Sequence, residues 1–403
     1  IDLTTFRTAE IIELPNSGGN HSSPFITENT EYVVAGTRFS VPPDDANGDV
    51  PINTYKQNFK GTISFISVAK ENGAMDIAFQ LQCPGVNFDL SRAGKGVSHG
   101  WFFFSMYNTE QANTLLEVNA SQKDKDFIMA VNWKKAEEYI KAGKGRKQSV
   151  KYAHNVYSDI THSATSTIKT EVTVLDVKDF KDLCYFFPCP KSPHGCDVSP
   201  TGEYIVGSGK LAALIPVFSF DKLQKAIAAK DYIGEFDGVP ILKYESVLYG
   251  EVKKPGLGPL HTEFDNKGYA YTSMFVSSEI VKWNIKDLKV VDRVPTYYSV
   301  GHLTVAGGDT KTPNGKYLVA YNKITKDRYL PTGPELSQSA QLYDISGEKM
   351  QLILDFPTIG EPHYAQIVPA DLIKKNSVKF FKMEENKNPY FSNGEAATKV
   401  VRE

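Results

Sequence analysis

The sequence predicts an all-β fold, a β-propeller, and three observations carry that expectation. A unit opening with a histidine recurs along the chain. Short strand-like runs and Gly-centred turns fill most of the length. Helical periodicity is confined to two short stretches.

The repeat comes first, because it separates a propeller from a sandwich or a barrel. At His194 the unit reads His-Gly-Cys-Asp-Val-Ser-Pro-Thr-Gly202-Glu-Tyr-Ile-Val. At His261 it reads His-Thr-Glu-Phe-Asp-Asn-Lys-Gly268-Tyr-Ala-Tyr-Thr, and from His302 a longer copy ends Thr-Pro-Asn-Gly315-Lys-Tyr-Leu-Val. A looser copy opens at His21 and reaches Asn29-Thr-Glu-Tyr-Val-Val; a fifth starts at His363 as Glu-Pro-His-Tyr-Ala-Gln-Ile-Val. Glycine between two strand runs marks a hairpin, since it accepts the positive φ that tight turns demand. From His194 onward the histidines are 67, 41 and 61 residues apart. A four-stranded blade needs about 40–50 residues, and insertions lengthen it. Each unit therefore reads as one blade.

Strand-like runs occur at Glu31–Gly36, Gly61–Ala69, Ala78–Gln82, Tyr204–Gly207, Ala270–Phe275, Tyr317–Tyr321 and Met350–Asp355. The helical stretches are Lys134–Ala142 and Phe220–Lys230, the second with Ser219 or Asp221 as its cap. With Tyr 21, Phe 23, Gly 30 and Pro 22, the composition suits short strands and tight turns.

At 403 residues the chain can bury a large core, as one all-β unit or two smaller domains. Lys+Arg 45 against Asp+Glu 47 leaves a net charge of −2, no field to attract nucleic acid or an anionic membrane. The basic stretch Lys141–Lys147 reads as solvated turn. No run of about 18 apolar residues occurs, so no membrane-inserted helix is expected. The chain opens at Ile1 without a signal peptide and reads as processed or partial, which leaves export open. Cys83, Cys184, Cys189 and Cys196 lack the spacing of zinc or thioredoxin sites and are expected as buried thiols or at most one disulfide.

The innermost strands of a propeller line its channel, so equivalent residues of successive repeats meet at one height around one axis. Five of the eight histidines, His21, His194, His261, His302 and His363, hold that position. His99, His154 and His162 lie outside the repeat and read as structural or surface residues. Imidazole is a good ligand for copper and zinc, and a pore rich in imidazole and poor in carboxylate favours copper over magnesium or calcium. Two other classes compete. A metal-free propeller would serve as a binding or scaffold module, and a propeller hydrolase would need acidic or mixed ligands along the axis.

Several segments closely resemble one family. They are Ser192-Pro-His-Gly-Cys-Asp-Val-Ser-Pro-Thr-Gly-Glu-Tyr, Leu257-Gly-Pro-Leu-His-Thr-Glu-Phe-Asp-Asn-Lys-Gly-Tyr-Ala-Tyr-Thr, Gly301-His-Leu and Gly360-Glu-Pro-His. Tyr107-Asn-Thr-Glu110 and Lys323-Ile-Thr-Lys-Asp-Arg-Tyr-Leu-Pro-Thr-Gly-Pro join them. In order and spacing they resemble nitrous oxide reductase over nearly the whole chain, in style its Sec-exported branch.

The resemblance implies a seven-bladed propeller, one blade incomplete here, followed by a cupredoxin domain. The family's propeller carries a four-copper, sulfide-bridged cluster on seven histidines, and its cupredoxin domain carries a binuclear copper centre. His21, His194, His261, His302 and His363 match five cluster ligands. Lys323 and Glu361 match polar residues beside the cluster; Tyr107, Glu110 and, across a small gap, Asp126 match a structural calcium site. The family's adjacent His-His pair and its cupredoxin motif are absent from residues 1–403. The chain accordingly reads as a propeller fragment without the cupredoxin domain, not expected to turn over alone. The implied activity is two-electron, two-proton reduction of nitrous oxide to dinitrogen and water, the last step of denitrification. It would take place in the periplasm, in a head-to-tail homodimer fed by a c-type cytochrome or a cupredoxin.

Overall fold

The strand Trp101–Tyr107 shows how this sequence builds its core. Four aromatics run in succession from Trp101 to Phe104, with no polar alternation. Phe102 and Phe104 pack with Phe65 and Phe79 on one side, whereas Phe103 packs with Cys196 and Val198 on the other. A strand covered on both faces has no solvent side and needs no alternation. Sheets stacked face to face around an axis produce that condition.

The structure is a computed structural model, and it describes residues 1–3, 7–43, 49–69, 72–107, 126–158, 160–323, 338–358 and 362–369. Its larger compact unit comprises residues 12–154 and 167–367. Five sheets are described there, and each has an antiparallel meander at its heart. Sheet A runs Asn20–Ile26, Tyr32–Thr37, Gly61–Val68 and Met75–Cys83. Sheet B runs Asn87–Ala93, Trp101–Tyr107, Phe127–Asn132 and Cys184–Pro188. Sheet C runs Pro193–Val198, Tyr204–Gly209, Leu214–Ser219 and Leu248–Lys253. Sheet D follows with Pro259–Phe264, Tyr269–Met274, Glu279–Asn284 and Val290–Pro295. Sheet E closes the series with Val300–Val305, Tyr317–Asn322, Ser339–Asp344 and Gln351–Pro357.

Each first strand packs against the first strand of the next sheet, in the order A, B, C, D, E. Apolar layers fill the spaces between sheets A and B, B and C, C and D, and D and E. This is propeller architecture, as the repeat predicts.

Insertions lengthen the outer edges. In sheet B, Val239–Leu242 pairs parallel to Cys184–Pro188. In sheet A, Ser163–Asp176 pairs parallel to Met75–Cys83 through Val174↔Gln80. Helix α1 (Trp133–Lys141) is capped by Asn132, whose side chain accepts from the Lys135 amide. Helix α2 (Phe220–Ala229) takes Ser219 rather than Asp221 as its cap, the hydroxyl accepting from the Lys222 amide. Two one-turn helices, Tyr55–Asn58 and Tyr244–Val247, lack the length to show helical periodicity in sequence. The basic stretch expected as turn is one only at its middle, since Lys141 closes helix α1 and Lys147 lies in the strand Arg146–Ser158, though both lysines are well exposed. All four cysteines are buried free thiols. No described helix is long and apolar enough to cross a membrane.

The smaller unit comprises residues 1–11, 155–166 and 368–403. Within it the Tyr157 amide donates to the Ala9 carbonyl, and Arg7 contacts His162 at 2.9 Å.

Of the three repeat glycines, Gly315 does not take the expected positive φ, and the other two, Gly202 and Gly268, face different demands. Both have positive φ, +77° and +88°. A Cβ at Gly268 would meet nothing within 4 Å, but one at Gly202 would lie 1.6 Å from the Lys95 carbonyl oxygen. Gly268→Ala should therefore cost only left-handed backbone strain, about 1–3 kcal/mol. Gly202→Ala must also push sheets B and C apart, and its Tm should fall clearly further. Equal Tm losses in the two variants would contradict this packing.

Candidate metal centre

The histidines sit where the first strands are irregular. Against its partner strand, each first strand carries an extra residue, between Asn20 and Ser22, Phe88 and Ser91, Pro193 and Gly195, Pro259 and Thr262, and Val300 and Leu303, and the strand of sheet A carries a second between Ser22 and Phe25. Those bulges contain His21, Asp89, His194, His261 and His302 in turn. A bulge breaks the in-out alternation and re-aims the side chain it carries. Serines on the partner strands absorb part of the lost pairing, Ser273 Oγ accepting the His261 amide and Ser105 Oγ the Leu90 amide, while the Ser105 Oγ–H reaches across to sheet C and donates to the His194 carbonyl at 2.6 Å.

The imidazoles converge. Ring centroids lie 4.6 Å apart for His194–His261, 3.7 Å for His261–His302 and 4.7 Å for His302–His363. His21 adds separations of 6.2 Å to His194 and 5.6 Å to His363. Ring nitrogens of His194, His261 and His302 lie within 4.8 Å of one another, close enough to share one metal ion. These three are 7%, 2% and 1% exposed, while His21 is half-buried and His363 stands at the exposed rim.

Their hydrogen bonds select the free nitrogen. Asp89 is 1% exposed and its carboxylate accepts from His194 Nδ1. The same group lies 2.9 Å from His21 Nδ1 and accepts from Arg38 Nη1 at 3.0 Å. Burial opposes its ionisation, yet these partners hold it well below the usual carboxylate range. His302 Nδ1 donates to the His363 carbonyl oxygen. With Nδ1 engaged, Nε2 of His194 and of His302 is left buried without a partner among the described residues, and both nitrogens of His261 are in that state. Burial pulls the His194 imidazole down to about 4 and puts His261 and His302 well below 6.5. These rings are therefore neutral at pH 7, with lone pairs available to a metal.

Lys323 is 6% exposed, and after burial its charge is a further cause depressing His194, His261, His302 and His363. Its stem crosses Gly301, where a Cβ would lie 2.0 Å from Lys323 Cδ. The Gly301-His302 dipeptide thus makes room for the lysine beside the rings.

Glu361, Glu110 and the Tyr107 side chain lie outside the described residues. Asp126 opens the strand Phe127–Asn132 of sheet B, and its Oδ2 accepts the Ser192 amide at 2.8 Å. His363 follows sheet E in an extended segment without assigned strand, so its unit supplies a ring without a described blade. His99 lies outside this group, its ring nitrogens 3.2 Å from Glu28 Oε2 and 3.4 Å from Glu31 Oε1, in keeping with a structural role. The reading from histidines alone missed the bulge position of sheet B, because its occupant is Asp89. The available signal was an Asp and an Arg together in the short run Asn87–Ala93, all of which the fold buries.

Fold and pore together define a β-propeller with a histidine-lined channel able to accept a nitrogen-ligated metal. Residues 293–363 match the nitrous oxide reductase propeller repeat. Over 97% of its length the chain is 30% identical to the nitrous-oxide reductase of Stutzerimonas stutzeri, covering 57% of that protein. Over 94% of its length it is 32% identical to the enzyme of Cupriavidus necator, covering 56% of it. The chain is thus similar to nitrous-oxide reductases over nearly all of its length, and residues 293–363 carry the family's propeller repeat. It spans a little over half the length of these curated relatives.

One consequence can be measured without metal. An unfolded histidine titrates near 6.5, and folded His261 titrates well below that. As pH falls below about 6.5, the unfolded chain takes up a proton that the folded chain refuses, so stability drops; above 6.5 the contribution is constant. In chelator, wild type should lose about 1.4 kcal/mol per pH unit below 6.5 relative to His261→Leu. Urea melts from pH 7.5 to 5 check this, and a difference that does not change with pH rules it out.

Proposed function

We propose that this chain is the copper-binding propeller portion of an enzyme that reduces nitrous oxide to dinitrogen and water. The observation that carries the reading is the meeting of buried, neutral imidazoles from separate blades with partnerless nitrogens turned to one pore. The donor set fits the metal: imidazole suits copper, whereas magnesium and calcium favour oxygen. His21, His194, His261, His302 and His363 would hold copper, and the resemblance extends this to a four-copper, sulfide-bridged cluster in a seven-bladed propeller. When bound, that cluster supplies the two electrons that the substrate takes up as its N–O bond breaks.

The rest is the work of this chain. Asp89 fixes His194, and with it His21, through Nδ1, so that Nε2 of His194 faces the pore. The His363 carbonyl does the same for His302. The apolar layers between sheets keep water from the buried rings. Lys323 places its ammonium near them, where low polarity strengthens a hydrogen bond or proton donated to the substrate oxygen. Glu361 is assigned beside it from the resemblance alone. So is a calcium ion on Tyr107, Glu110 and Asp126, which EGTA would remove with a fall in Tm. A periplasmic homodimer, an electron donor of c-type cytochrome or cupredoxin type, and a binuclear copper centre elsewhere in the protein complete the proposal.

Copper content and visible spectra of the full-length protein, produced with its maturation machinery, test the assignment. The expected outcome is copper with cluster bands in wild type and their loss in His261→Ala. No copper in wild type would end the reductase reading, and methyl viologen-driven activity in His261→Ala would end this ligand assignment. Gly301→Ala keeps every histidine but displaces Lys323. It should retain copper and lose at least tenfold in turnover; unaltered turnover would remove Lys323 from the chemistry.

A further inference from the structure

Below the histidines, one step further along the same first strands, lies a second buried layer. Arg92, three residues after Asp89, is 3% exposed. Its Nε is 3.2 Å from Asp197 Oδ1 and 2.7 Å from Asp309 Oδ1, and its Nη2 is 3.8 Å from Glu263 Oε1. The guanidinium also lies 5.9 Å from the centre of the Tyr364 ring. One side chain from sheet B thus reaches carboxylates on sheets C and D and on the loop after the first strand of sheet E.

Each carboxylate passes the connection to the next wall of the channel. Asp197 Oδ2 accepts the amide of Thr262, the residue after His261, at 2.7 Å. Glu263 Oε2 accepts the amide of Val305, three residues after His302, at 3.4 Å. Asp309 Oδ2 accepts the hydroxyl of Tyr364, the residue after His363, at 3.1 Å, and the Tyr364 ring meets the His302 ring edge-on at 5.1 Å. Every branch ends within three residues of a converging histidine.

We propose that Arg92 is a positioning residue that fixes the mutual spacing of His194, His261, His302 and His363 through these three carboxylates. The planar, delocalised charge of the fork faces all three carboxylates at ion-pair distance, an arrangement that a lysine ammonium on its flexible stem would not hold in one plane. Gly308 belongs to the same device, since a Cβ there would lie 1.8 Å from Glu263 Oε2. In this role Arg92 need not touch metal or substrate. The inference rests on the copper reading only for one arm of its test.

The test uses the full chain, metal-free, with isotope-labelled histidine, and compares wild type with Arg92→Lys and Gly308→Ala. Arg92→Lys keeps the charge and loses the fork. Gly308→Ala keeps every charge and displaces Glu263, and it serves alone if Arg92→Lys fails to fold. The ring resonances of His194, His261 and His302 should shift or broaden in both variants, with those of His154 unmoved. Copper(I) competition against a chromophoric chelator should then show at least tenfold weaker binding than wild type. Folded variants with wild-type ring resonances overturn the proposal, even if copper binding weakens. Moved rings with a wild type that takes no copper support the positioning role and sink the copper reading instead.

Discussion

Burying a ring nitrogen without a hydrogen-bond partner costs about 1–3 kcal/mol, and this pore holds four such atoms on His194, His261 and His302. The rest of the molecule answers to that constraint. Rings left alone would turn toward water or toward a carbonyl. They stay because each rises from a bulged strand whose neighbours are locked by apolar layers on both faces. Asp89 then removes the choice of nitrogen for His194, leaving one orientation in which Nε2 faces the axis. Layers, bulges and the buried carboxylate act together to hold donors ready in the metal-free chain.

Much of this was legible in the sequence, for identifiable reasons. The Gly turns at Gly202 and Gly268 and the histidines before them repeat, and repetition survives without knowledge of pairing or register. Ser219 was readable as a cap because capping is local. Asp89 was not readable, since its blade breaks the repeat at the repeat's most informative position. The bulges were hidden because an extra residue is defined only against a partner strand. Lys323 could be placed near the site only through the family resemblance. The space that Gly301 leaves for it is a three-dimensional fact. Arg92 and its carboxylates were equally out of reach, because Asp197, Glu263 and Asp309 are remote in sequence and meet only when the sheets stack.

The competing classes fare differently against the same geometry. A scaffold propeller has no need of partnerless imidazoles in its pore, and apolar side chains of similar size would be more stable there. A hydrolase of the kind that binds calcium along its axis would need carboxylates turned to a ligand. Carboxylates do lie in the channel, but buried Asp197 and Glu263 and half-buried Asp309 face Arg92, and their other oxygens accept the Thr262 and Val305 amides and the Tyr364 hydroxyl. The one carboxylate in the histidine layer, Asp89, is itself engaged by His194, His21 and Arg38, so the groups left there with buried, unengaged nitrogens are imidazoles.

The bulge shared by all five first strands has an evolutionary corollary. It aims whatever residue it carries, and the chain demonstrates this by carrying an acid in one blade where four others carry an imidazole. Backbone geometry thereby decides where a donor stands, while the identity of that donor is left to a single codon per blade. Such a scaffold can exchange ligands one at a time without refolding. A lineage could reach a many-ligand cofactor by successive replacements, each of them compatible with a folded protein.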